Sequence, residues 1–236
     1  MTLKNNTIIP ISTSYINVIL SLIYSKPKTN ELYYFTIMSN QPIDPYQYLQ
    51  IFRNPDGTFT RLNDAVPCTP PSSDPTLSVL TKDITINQQN NTWLRLFLPR
   101  TALSSNSNPK KLPLIVFFHG SGFVRLSAAS TMFHDFCVEM ANTAEAFVAS
   151  VDYRLAPEHR LPAAYDDAVE ALRWIACSEE EWLTQYADYS KCYLMGNSAG
   201  ATIAYHTGQF SIRSCTFLIV CLFIIKNIFN KNTLGF

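Results

Sequence analysis

Acidic residues are absent from the whole of 199–236, and glycine is scarce everywhere, with seven in 236 residues. An excess of charge of one sign is lacking too: 18 Lys and Arg balance 18 Asp and Glu. A nucleic-acid binder shows its basic footprint as a surplus of Lys and Arg, so that class is excluded. Charged residues make up 15% of the chain against 47% hydrophobic ones, which excludes disorder over the full length. A membrane-spanning helix needs about 20 consecutive apolar residues, and the run from Cys215 to Ile225 falls well short, so a tail anchor is disfavoured. The other apolar run, Ile16 to Tyr24, has only Lys4 before it and no small-residue cleavage site after it, which disfavours a signal peptide. The six cysteines, at 68, 137, 177, 192, 215 and 221, have neither C-x-x-C nor zinc-finger spacing. They read as reduced thiols in a reducing compartment, and the expected location is cytoplasmic. No metal and no organic cofactor is implied. Oligomeric state is left open by the sequence.

What is present has a clear grain from about residue 38 onward. Asn54-Pro55-Asp56-Gly57 is a turn, and Pro67 to Pro75 is an extended loop. Thr81 to Ile86 and Trp93 to Leu98 alternate as strands do, with Gln88 to Asn91 as the hairpin turn between them. Leu112 to Phe118, Ala146 to Val151 and Cys192 to Met195 are short unbroken apolar runs, suited to strands buried on both faces of a parallel sheet. Between the last two lies a helix with Tyr165, Ala168, Val169, Leu172 and Ile175 on its apolar face. Asp166, Asp167 and Glu170 are expected on its polar face, and Pro162 suits its first turn. Strand, helix, strand implies an α/β domain with a mostly parallel sheet and flanking helices.

Four of the seven glycines fall in two short motifs, each directly after an expected strand. Glycine belongs where backbone turns sharply or approaches another group closely. Gly196-Asn197-Ser198-Ala199-Gly200 is a G-x-S-x-G at a strand-to-helix junction, the pattern that exposes a serine hydroxyl at the tip of a tight turn. Ser198 is therefore the candidate nucleophile. His119-Gly120-Ser121-Gly122-Phe123 is a turn whose amides lie open to a developing oxyanion. Its candidate donors are the N–H groups of Gly120 and Ser121, joined by that of Ala199. His119 is expected to hydrogen-bond within the structure rather than carry a proton.

His119 to Phe123, Asp152 to His159 (DYRLAPEH) and Gly196 to Gly200 together resemble the hormone-sensitive-lipase-like α/β-hydrolases, in particular the plant carboxylesterases. Phe52 to Arg61 and Val79 to Leu98 look like plant members as well, and the similarity runs from about residue 40 to 209. The resemblance implies an α/β-hydrolase fold, a partly N-terminal helical cap and hydrolysis of small carboxylic esters. Ser121 stands where the family commonly has glycine, and Asn197 where it usually has Asp; a left-handed backbone at Ser121 would cost about 1–2 kcal/mol. The gibberellin receptors resemble the same family and hold a small ligand without hydrolysis, which is the alternative reading.

In this fold the catalytic Asp or Glu and then the His follow the serine in chain order. Here His206 is the one histidine after Ser198, and no carboxylate follows at all. His134 and His159 precede the serine and read as structural. The triad cannot be completed from this sequence, so little or no turnover is expected. The expected organisation is a poorly patterned extension over 1–37, a partial α/β-hydrolase domain over 38–209 lacking the last part of the fold, and a non-family hydrophobic tail over 210–236.

Overall fold

The computed structural model of the chain describes residues 51–62, 66–103, 110–210 and 217–222. The expectations for residues 1–37, with the run Ile16–Tyr24, and for a cap preceding residue 51 lie outside them, as does most of the tail.

Two elements come first and stand apart from the main sheet. Strand β1 (Ile51–Arg53) pairs antiparallel with β2 (Phe59–Arg61) across the expected Asn54–Gly57 turn. The turn closes through Gly57 N–H donating to Asn54 O at 3.0 Å, with Gly57 at φ +88°.

The main sheet has six strands: β3 (Val79–Asn87), β4 (Thr92–Pro99), β5 (Leu112–Phe118), β6 (Phe147–Asp152), β7 (Ala187–Asn197) and β8 (Phe217–Leu222). Their spatial order is β3-β4-β6-β5-β7-β8. The β3–β4 hairpin turns through Asn91 at φ +52°, and β3–β4 and β4–β6 are antiparallel. From β6 to β8 every pair is parallel. Parallel neighbours need long crossovers, and helices supply them: α1 (Thr131–Thr143), α2 (Ala163–Cys177), α3 (Glu181–Tyr186) and α4 (Ala199–Phe210).

Burial explains the unbroken apolar runs. Leu114, Val116 and Phe118 of β5 share one cluster with Ala168, Ala171 and Ile175 of α2 and Ile203 and Ala204 of α4. Phe117 points the other way, onto Phe133 and Phe136 of α1 at centroid distances of 6.3 and 5.3 Å. The central strands thus have helices on both faces. Each fully buried Leu, Val or Phe of this kind stabilises by about 1.5–3 kcal/mol.

Strand β5 has the expected bounds, β6 is displaced by one residue, and β7 extends well to either side of Cys192–Met195. The helix expected after Pro162 is α2, but its buried face includes Asp167 at 1% exposure, while Tyr165 and Val169 are only part-buried. Asp167 is therefore a correction to the expected polar face. It is drawn inward by Arg154, whose Nη2 donates to Oδ1 at 2.6 Å and whose backbone N–H donates to Oδ2 at 2.9 Å. Residues 217–222, assigned from the sequence to a tail, lie in the sheet beside β7 in continuous parallel register from Cys192↔Phe217 to Asn197↔Leu222.

Candidate active site

Strand β7 runs into helix α4 through Ser198, which is exposed and held at φ +50°. A non-glycine residue there is costly by about 1–2 kcal/mol and persists only where its surroundings hold it. They do so through close backbone contact. A Cβ on Gly196 would lie 2.3 Å from the carbonyl carbon and oxygen of Gly200. A Cβ on Gly200 would lie 2.0 Å from Phe118 O and 2.6 Å from His119 O. The two flanking glycines of the pentapeptide are thus dictated by space, and the turn is pressed against the end of β5. Ser198 O accepts from the N–H of Ala201 at 3.0 Å and of Thr202 at 3.3 Å, which starts α4 directly at the serine.

The His119–Phe123 turn meets this elbow. A Cβ on Gly120 would lie 2.9 Å from Asn197 O and 3.0 Å from Asn197 Oδ1, so only glycine fits between the two motifs. Ser121, Gly122 and Phe123 follow with φ of +84°, +67° and +65°. The left-handed backbone that the sequence made a condition for Ser121 is therefore adopted. Among the described residues, no acceptor meets the N–H of Gly120 or Ser121. Ala199 is the first residue of α4, where an N–H has no partner within its own helix. The structure brings Gly120, Ser121, Ser198 and Ala199 to one place, at the carboxyl ends of β5 and β7.

Beneath the turn, His119 is fully buried, with Nδ1–H donating to Gly120 O at 2.9 Å. Its ring stacks on Tyr153 at 4.3 Å between centroids and 11° between planes. The Tyr153 hydroxyl donates to His119 O at 2.7 Å. His119 Nε2 lies 3.8 Å from Asp152 Oδ1, beyond hydrogen-bond reach. Burial holds the His119 imidazole below its ordinary range and pushes the Asp152 carboxyl up. His119 is thus a buried, neutral imidazole hydrogen-bonded within its own turn.

The remaining histidines are elsewhere. His134 accepts from Arg95 Nη1 at 3.1 Å, on the face covered by α1. His159 is exposed, and His206 stacks on Tyr165 at 4.4 Å. Among the described residues no group of three or more His, Cys, Asp or Glu is arranged to hold a metal ion, and no helix is long and apolar enough to cross a membrane.

Sequence reasoning used Asp152 to His159 only as a mark of resemblance, and the geometry gives this segment work. Asp152 Oδ1 accepts from Ala128 N–H at 2.8 Å, and Ala156 N–H donates to Phe123 O at 2.8 Å. Arg61 of β2 reaches across, donating to Val124 O at 2.8 Å and Ala156 O at 2.7 Å and pairing with Glu158. Both loops around the turn are thereby tied to the β1–β2 hairpin. No local pattern announces such contacts, because their partners lie 63 to 97 positions away.

A family model described as the α/β hydrolase fold matches residues 115–226, past the boundary at Gln209 expected from the sequence. Carboxylesterase 20 of Arabidopsis thaliana is 50% identical over 174 residues, covering 72% of this chain and 53% of that protein. A 3-O-acetylpapaveroxine carboxylesterase of Papaver somniferum is 47% identical over 170 residues, covering 69% of this chain and 51% of that one. Among solved structures, a hyperthermophilic esterase from Pyrobaculum calidifontis is similar at 37% identity and a TM-score of 0.46, covering 55% of this chain and 39% of that one. The chain spans about half the length of the curated relatives it matches. With a mostly parallel sheet flanked by helices and this sequence likeness, the chain belongs to the α/β-hydrolase family, in the plant carboxylesterase lineage.

Proposed function

We propose that this chain carries the nucleophile and oxyanion half of a serine carboxylesterase acting on small carboxylic esters. Ser198 Oγ attacks the ester carbonyl carbon, and the carbonyl oxygen, now negative, is met by the N–H groups of Gly120, Ser121 and Ala199. The observation that carries this reading is the interlock of the two glycine motifs, with Gly120 against Asn197 and Gly200 against Phe118 and His119. An ordinary strand-to-helix turn has no need of a second glycine turn packed against it.

Attack requires a base for the serine proton, and none of the histidines suits. His119 is buried and bonded to Gly120 O, His134 accepts from Arg95, and His206 is stacked on Tyr165. His159 sits at an exposed position, away from β7 and α4 in the chain. Residues 199–236 contain no carboxylate to orient a histidine. These 236 residues therefore hold and polarise an ester without turning it over, since loss of triad members costs several orders of magnitude in rate. A cytoplasmic location goes with this reading, supported by thiols scattered without disulfide spacing.

The test is hydrolysis of p-nitrophenyl acetate by the purified chain and by Ser198→Ala, each alone and each continued with the C-terminal half of Carboxylesterase 20. The chain alone is expected to match its Ser198→Ala variant. The continued chain is expected to hydrolyse the ester only when Ser198 is present. Serine-dependent turnover by the chain alone would refute the missing-base argument; a continued chain indifferent to Ser198→Ala would refute the assignment of the nucleophile.

A further inference from the structure

The N–H groups assigned to the oxyanion do not hang free at their other ends. A peptide unit is planar and trans, so its N–H and C=O leave opposite edges of one rigid plate. The N–H of Gly120 shares its plate with His119 O, and the N–H of Ser121 shares its plate with Gly120 O. Both oxygens are held: His119 O by the Tyr153 hydroxyl at 2.7 Å, and Gly120 O by His119 Nδ1–H at 2.9 Å. Both holding groups are buried, Tyr153 at 3% exposure and His119 at 0%. They also stack on each other, which fixes each ring against the other.

We propose that Tyr153 and His119 are positioning residues for the oxyanion site, aiming and polarising the Gly120 and Ser121 amides from behind their peptide planes. The proposal deepens the functional reading above and rests on it for the purpose of the two amides. A donor bonded to a carbonyl oxygen withdraws electron density along the plate and makes the N–H at the far edge a stronger donor. It also resists rotation of the plate, which matters in a turn where Ser121, Gly122 and Phe123 all lie in the left-handed region. The hydroxyl of Tyr153 stays protonated, because burial pushes its ionisation far upward, so the donor is constant over the working pH range.

Tyr153 offers a graded test, because its donor strength can be changed with the ring kept. In Tyr153→Phe the stack on His119 remains and the donor is lost; with 3-fluorotyrosine at position 153 the donor is stronger. The amide nitrogen resonance of Gly120 is expected to move in opposite directions in the two variants relative to the unmodified chain. A purely structural tyrosine would not produce two displacements of opposite sign. Binding of phenylboronic acid, which forms a tetrahedral anion on the serine hydroxyl once a base takes its proton, is measured in the chain continued with the C-terminal half of Carboxylesterase 20, and is expected to weaken about tenfold in Tyr153→Phe, as for the loss of one hydrogen bond's worth of alignment. Displacements of the same sign, or none, at Gly120 would overturn the positioning role whatever the boronate does. Opposite displacements, with no boronate bound by the continued chain, would leave the lever standing and refute the serine-and-oxyanion reading instead.

Discussion

Single residues at the elbow carry their reasons in the space around them. Gly200 has backbone oxygen 2.0 Å from where a Cβ would stand, and backbone cannot swing aside as a long side chain can. Gly200→Ala is therefore expected to destabilise the chain by about 3 kcal/mol or more, at the upper end of overpacking costs. Gly57 is the contrast: nothing lies within 4 Å of its Cβ position, and only its φ of +88° speaks for glycine. Gly57→Ala is expected to cost about 1 kcal/mol. Thermal melts of the two variants side by side check both, and equal losses would contradict the distinction between space and conformation. Arg154→Ala makes a third case. It leaves the 1%-exposed Asp167 with only a backbone donor, and removal of one partner of a buried pair costs about 3–5 kcal/mol. Urea denaturation of that variant should lie near the lower figure, because the Arg154 N–H remains. The glycine and serine pattern was legible in the sequence, since spacing alone marks a strand-to-helix elbow. Asp167 was not, because its burial depends on an arginine that precedes the helix and whose side chain folds back onto it.

At the scale of elements, the β1–β2 hairpin is tied to the loops of the site through Arg61. Arg61 bonds Val124 O and Ala156 O and pairs with Glu158, all in the loops around the oxyanion turn. Arg61→Ala is expected to speed amide exchange in 51–61 by about tenfold or more while leaving the β5 amides protected, as for opening of one local unit. Uniform loss of protection across the sheet would mean the hairpin is integral to the core instead. Helix α1 is attached differently, through His134, Arg95 and Asp83. Arginine has no acceptor, so His134 Nδ1 accepts from it and the ring is neutral. Burial, and then the neighbouring Arg95 charge, hold His134 below its ordinary range. Above about pH 6.5 neither folded nor unfolded chain protonates this ring, and its contribution is complete. As pH falls below that value the unfolded chain takes up a proton the folded one resists, and stability is lost at up to about 1.4 kcal/mol per pH unit. Stability measured between pH 7.5 and 5.5 should therefore fall less steeply in His134→Gln, with the remaining slope including His119. The helices and strands were visible as periodicity; the ties between them were not, since Arg61 and Arg95 look like ordinary strand charges until their partners are known.

At the scale of the whole molecule, the sequence foretold a mostly parallel sheet but could not order it. Nothing local says that β6 lies between β4 and β5, because strand order is decided by crossovers and by which faces remain to be covered. The segment after Gln209 shows the same limit. Residues 210–236 lack acids and look unlike the preceding domain, and 217–222 pair with β7 over Cys192–Asn197. Ending the chain at Gln209 removes that ladder and bares an apolar edge, which invites edge-to-edge association. The shortened chain is expected to melt lower by roughly 10 °C and to scatter more light, given about 2–4 °C per kcal/mol at this size. An unchanged melt would return the segment to the status of a dispensable tail.

The order β4-β6-β5-β7 also has a consequence in time. The oxyanion turn leaves the ribosome directly behind β5, but the elbow that packs against it follows about 80 residues later, roughly 4–16 s at ordinary elongation rates. Once β6 has followed, β5 has one neighbour position filled and the other open until β7 arrives, and the left-handed turn at Ser121 has no Asn197 to lean on. A nascent chain paused before Gly196 holds His119 and Tyr153 with no Ser198 for their amides to face.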